Sequence, residues 1–171
     1  MASPFVFSVI ELVKHPGTRR PTVAVGVIDG IVLSSARVVA GSELRFDGVL
    51  ESIVGGSITA TGAVRASWVG ECRRCLQDVT GSLAADVHEV FSGAVPGGDA
   101  YPLEHERVDL EPMARDAVLL ALPLAPLCDG ACAGPDPQGH PVEVEAGDQG
   151  TETTEAATDT RWSALSELRF D

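Results

Sequence analysis

The sequence predicts an α+β fold, mainly an antiparallel β-sheet meander covered by one amphipathic helix, and three observations carry that expectation. Apolar side chains alternate with period two through residues 44–91. The period changes to helical spacing after Asp109, and Gly-Gly and Cys-x-x-Cys segments fall where hairpins must turn. With 171 residues, 44% apolar and 22% charged, the chain suits one folded domain of moderate size carrying a flexible extension. A domain of this size buries on the order of 65–70% of its chain's surface, so it needs no disulfides to hold a core.

Taken in order, residues 5–13 (Phe-Val-Phe-Ser-Val-Ile-Glu-Leu-Val) are rich in β-branched and aromatic side chains and predict a first strand. Turn formers over residues 14–21 end it. Val23, Val25 and Val27 alternate in a second strand that runs into the Asp29-Gly30 turn. The meander follows: a strand to Val54, a turn at Gly55-Gly56, and a strand with Ile58, Ala60, Gly62, Val64, Ala66 and Trp68 on one face. Its third strand carries Leu83, Ala85 and Val87 on one side.

Leu110, Met113, Ala114, Ala117, Val118 and Ala121 then fall at helical spacing, with Asp109 as cap, Pro112 in the first turn and Pro123 as terminator. Residues 133–158 have too few large apolar side chains to offset ordering entropy and predict a disordered acidic linker. Residues 159–171 regain an apolar rhythm, and Trp162, Leu165 and Leu168 predict a short C-terminal docking helix. The expected organisation is therefore a β-rich domain over 1–132, a linker over 133–158 and a docking helix over 159–171.

The formal charge is −13, with 25 acidic against 12 basic residues, and it is unevenly spread. Residues 1–98 are close to neutral at −1, whereas residues 99–132 carry −5 and residues 133–171 carry −7. An acidic surface repels phosphate backbones, so general nucleic-acid binding by the whole chain is disfavoured and a basic protein is a natural partner. No run of 18 apolar residues exists, which predicts no membrane span. The first residues lack the basic start, apolar middle and small-residue cleavage site of a secretory signal, so a cytoplasmic setting with reduced thiols is expected.

In that setting the four cysteines read first as metal ligands or redox groups. Cys72-Arg73-Arg74-Cys75 lies between two strands of the meander, at a knuckle position where two thiolates can face one side. Cys128 and Cys132 lie just past the helix, on a loop containing Pro126 and Gly130. Cys72, Cys75, Cys128 and Cys132 together can form a tetrahedral four-thiolate zinc site, while unliganded thiols and a redox dithiol stay open as alternatives. The redox reading lacks the helix N-terminus that lowers the pKa in thioredoxin-like pairs.

Three ordered segments resemble the bacterial YceD family, the large ribosomal RNA subunit accumulation proteins. They are Cys72-Arg73-Arg74-Cys75-Leu76, then Val108-Asp109-Leu110-Glu111-Pro112 running through Leu119-Leu120-Ala121-Leu122-Pro123-Leu124-Ala125-Pro126-Leu127-Cys128, then Asp159-Thr160-Arg161-Trp162-Ser163-Ala164-Leu165. The resemblance spans nearly the whole chain. It implies a cytoplasmic, non-enzymatic factor supporting synthesis, processing or stability of 23S ribosomal RNA. Many relatives continue with more cysteines after the helix, whereas residues 133–140 here contain none, leaving at most one four-cysteine site and His140 as the nearby substitute.

The expected partners are large-subunit ribosomal RNA precursor or a ribosomal protein, with no membrane and no small-molecule substrate. Arg73 and Arg74 at the hairpin tip, with Arg19 and Arg20 as a second cluster, are the candidate phosphate contacts. The alternatives are an acidic adaptor holding a basic large-subunit protein and a thiol-disulfide redox protein. No enzyme is expected: Lys14 is the only lysine, no Gly-rich phosphate loop precedes it, and His88 and His105 have no nucleophile that the sequence places beside them.

Overall fold

The computed structural model describes residues 3–93, 100–136 and 138. It is a mixed α+β fold dominated by strands. The elements are β1 (Val6–Ser8), α1 (Ile10–Lys14), β2 (Arg19–Val27), β3 (Ala36–Val38), β4 (Glu43–Ser52), β5 (Ile58–Glu71), β6 (Asp78–Ser92), β7 (Tyr101–Glu104), β8 (Arg107–Asp109) and α2 (Glu111–Ala121). One sheet runs in the order β1-β8-β7-β6-β5-β4-β2, with β3 paired to β5 off that path.

β5 is the spine. Antiparallel pairing joins it to β4 from Ser52↔Ile58 to Arg45↔Arg65, and to β6 from Ile58↔Phe91 to Glu71↔Asp78. Ile58, Ala60, Val64 and Ala66 are buried on one face, and Leu44, Phe46 and Leu50 of β4 join them. Period-two alternation thus sends one set of side chains to a common core. Gly48 and Gly62 are directly paired on this face, and a Cβ on Gly62 would collide with the Asp47 carbonyl and lie 2.5 Å from the Gly48 Cα. The two strands approach there more closely than side chains allow.

α2 packs against β6 and β5 through buried Met113, Ala114 and Val118. Leu110 is already helical at φ −82 and ψ −8, and the Asp109 carboxylate accepts the Glu111 N–H at 2.9 Å, which satisfies one of the orphan donors of the first turn.

Several expectations need correction. Residues 5–13 do not form one strand: β1 stops at Ser8, and Val9 and Leu12 are both buried at a spacing of three, which a single helical turn provides and a strand does not. The chain is held in this reversal by the Val9 N–H donating to the Glu106 carbonyl at 2.8 Å. The segment 19–21, expected as part of a turn, begins β2 instead. Its Pro21 is tolerated because β2 lies at the edge of the sheet.

The sheet is not purely an antiparallel meander, because β6 and β7 pair in parallel through Phe91↔Tyr101, and two helices rather than one are present. β3, β7 and β8, three or four residues each, were too short for periodicity to announce. Trp162, Leu165, the docking helix and most of the acidic linker lie outside the described residues.

Candidate metal centre

β5 and β6 stay paired as far as Glu71↔Asp78, so residues 72–77 must close the hairpin. The Cys72 N–H donates to the Gln77 carbonyl at 2.8 Å, and the Leu76 N–H returns to the Cys72 carbonyl at 2.9 Å. Leu76 takes a left-handed φ of 60°, a conformation that glycine adopts more readily. The tight loop places Cys72 and Cys75 at the tip, Cys72 buried and Cys75 half-buried.

The second pair arrives from α2. After Pro123 ends the helix, two hydrogen bonds fasten the following loop: Ser35 Oγ donates to the Pro123 carbonyl at 3.0 Å, and the Arg73 N–H donates to the Pro126 carbonyl at 2.9 Å. Asp129 then shapes a turn, its carboxylate accepting the Ala131 N–H at 2.9 Å and its carbonyl the Cys132 N–H at 3.1 Å. The Arg74 guanidinium closes the corner by donating to the carbonyls of Cys132 at 3.0 Å and Gly130 at 3.3 Å.

The four sulfurs consequently converge, all within 4.8 Å of one another. Cys72 Sγ is 3.8 Å from Cys132 Sγ, and Cys75 Sγ is 3.6 Å from Cys128 Sγ. A disulfide requires about 2.05 Å, so all four are free thiols. By contrast, zinc–sulfur bonds of about 2.3 Å in a tetrahedron place sulfurs roughly 3.8 Å apart. Both short contacts run between the pairs, as a shared ion requires.

The electrostatics agree. Backbone N–H groups, first that of Cys75 and then that of Cys128, hold the Cys72 thiol down to about 6. The neighbouring sulfurs, Cys132 foremost and then Cys75, push Cys128 up to about 12. The Gln77 N–H favours the Cys75 thiolate, but desolvation and the adjacent Cys72 outweigh it and the pKa is raised. One thiolate forms readily and then opposes the others. A divalent cation removes that opposition, because deprotonation of all four ligands is coupled to its binding.

The four predicted ligands are thus brought together, but the four predicted arginines are not. Arg19 pairs with Glu51 at 3.0 Å, and Arg20 donates to the Ser8 carbonyl at 3.0 Å. By register Arg19 lies beside Glu51 and Thr59, at the opposite end of β5 from Cys72. The two clusters are on the order of 40 Å apart measured along that strand and stand as two separate groups. Arg74 serves the corner itself, and Arg73 is exposed. Sequence reasoning missed Ser35 and Leu76, and the only signal for the fastened loop was the pair of prolines at 123 and 126.

The profile of the large ribosomal RNA subunit accumulation protein YceD matches residues 60–169. The chain belongs to the YceD family. The match begins inside β5 and includes all four cysteines. An uncharacterized protein of Mycobacterium bovis is 33% identical over 183 residues, covering 98% of this chain and 83% of that protein. An uncharacterized Mycobacterium tuberculosis protein matches to the same extent. A third, from Mycobacterium leprae, is 30% identical over 156 residues, 78% of this chain and 65% of that protein. No solved structure matches the chain.

Proposed function

We propose that this YceD-family protein supports the accumulation of large-subunit (23S) ribosomal RNA by binding rather than by catalysis, and that its four-cysteine corner holds one structural zinc ion. The observation that carries this reading is the convergence of two thiol pairs, separated by 52 residues between Cys75 and Cys128, at tetrahedral spacing in a chain that the family profile covers from residue 60 to 169. The ion fastens the β5–β6 hairpin to the loop after α2, giving a rigid corner for recognition. Zinc with four thiolates has no open position for substrate, which favours a structural over a catalytic role. A cavity of about 570 Å³ beside the β7–β8 turn is lined by Glu104, His105, Arg107 and Asp109 together with Val6, Pro102 and Pro112.

The charge favours a second reading as adaptor. A net charge of −13 complements a basic large-subunit protein better than it complements RNA at large.

Affinity capture of the intact protein from cells, at low and at moderate salt, separates the readings. The expected result is enrichment of large-subunit RNA precursors that disappears after nuclease treatment. A basic ribosomal protein retained after nuclease would replace direct RNA binding with the adaptor role. Capture of neither would overturn both.

A further inference from the structure

A cleft of about 290 Å³ lies between β3 and the end of β5, beside the knuckle, and Ser35 and Arg73, which hold the post-helix loop, are among its lining residues. Its walls include Arg37 from β3, Arg73 from the knuckle, the hydroxyl-bearing Ser34, and the exposed apolar side chains Val32 and Leu76. Antiparallel pairing of Ala36↔Gly70 and Arg37↔Val69 fixes β3 against β5, and the Arg73 backbone is tied to the Pro126 carbonyl. Both guanidinium groups therefore stand on anchored backbone. Among the described residues neither makes an ion pair, in contrast to Arg19, Arg45 and Arg115. Glu71 is the one carboxylate lining the cleft, against two guanidinium groups, and Cys72 of the thiolate corner lines it as well.

We propose that this cleft binds a phosphodiester of single-stranded RNA, gripped by Arg37 and Arg73, with Val32 and Leu76 flanking the sugar or base. The assignment rests on the RNA-binding reading above and names the place where contact is made. Guanidinium groups bind phosphate through paired, charge-assisted hydrogen bonds, and the small volume suits one backbone unit of an unpaired strand rather than the broad face of a duplex. Placing two cations in one cleft also reconciles RNA contact with the overall charge: the surface at large repels nucleic acid while one local site accepts it.

The test uses the full-length, zinc-loaded protein and a short fluorescein-labelled single-stranded RNA of mixed sequence, titrated over a range of salt. Two phosphate-neutralising cations predict a log–log salt slope of about −1.4 for a single strand. Arg37→Ala with Arg73→Ala is expected to weaken binding roughly tenfold or more at low salt and to flatten that slope, since about 1.4 kcal/mol corresponds to tenfold. Arg65→Ala removes one positive charge from an exposed position in mid-β5, as Arg37→Ala and Arg73→Ala each do singly in the cleft, and is expected to change affinity less than about twofold where each of those single variants weakens it more.

Equal loss in the Arg65 control would overturn the site by making the effect one of net charge. Inorganic phosphate competing as strongly as RNA would overturn the chain assignment in favour of a free ion. The double variant releasing zinc to a chelator faster, with RNA affinity unchanged, would make the arginines supports of the thiolate cluster instead. Failure of the cleft is distinguishable from failure of the broader reading: an intact protein whose loss still lowers 23S RNA in cells, but whose double variant restores it, sinks only the cleft.

Discussion

Tyr101 shows how one side chain joins two layers. Its ring stacks on Phe91 at a centroid distance of 5.4 Å, and its hydroxyl donates to Asp116 of α2 at 2.9 Å. Burial, and then the hydrogen bond to that carboxylate, push its pKa up to about 12. The folded state therefore favours the neutral phenol. Its contribution to stability is complete below the ordinary value of about 10 and is lost as pH rises from there toward 12, because the unfolded chain ionises first. As this is the chain's single tyrosine, the phenolate absorbance of the folded protein should titrate near 12 and that of the denatured protein near about 10. Tyr101→Phe should remove the tyrosine's share of the alkaline loss of stability. Coincident titration in the two states would refute the described packing. None of this was legible beforehand, since no local pattern indicates which acid a tyrosine will meet.

At the scale of elements, the meander was legible because its period is written in adjacent residues. Gly62 was read as one more position on the inner face of β5, and it is there, but the reason it must be glycine appears only when β4 is laid beside it. Gly62→Ala forces backbone against backbone, where no flexible side chain can yield. The expected cost is about 1–3 kcal/mol, read as a lower urea midpoint with an unchanged m-value. A change below about 0.5 kcal/mol would place that substitution among ordinary surface effects and contradict the close approach. α1 was missed for the opposite reason: residues 5–13 have strand propensity, but burying Val9 together with Leu12 requires helical spacing, and packing overrides propensity.

For the molecule as a whole, the thiolate corner links two points far apart in sequence, the β5–β6 hairpin in mid-chain and the exit from α2. One zinc ion per chain is expected, and Cys75→Ser or Cys128→Ser should each release it, because a shared site loses its geometry with either pair broken. An ion present at a thousand times its Kd stabilises by about 4 kcal/mol, which for a domain of this size is roughly 10 °C in Tm. Chelation should lower Tm by that order while the strand signal in far-ultraviolet circular dichroism persists, since the core of β4, β5, β6 and α2 does not depend on the metal. Variants that keep the full complement of metal, or a chelator that leaves Tm untouched, would remove zinc from the corner.

The amino-acid sequence by itself determined the alternating strands from Leu44 to Phe91, the Asp109-capped helix, the spacing of two thiol pairs and the acidic balance, because each is encoded in the chemistry of near neighbours. Only the tertiary structure decided that the two thiol pairs meet, that Arg19 and Arg20 stand at the far end of β5 from Cys72, and that Arg37 faces the same cleft as Arg73. Those outcomes depend on strand register, on α2 settling over β5 and β6, and on two loop carbonyls captured by Ser35 and Arg73. Such long-range couplings arise from the sum of packing across the sheet, and no window along the chain contains them.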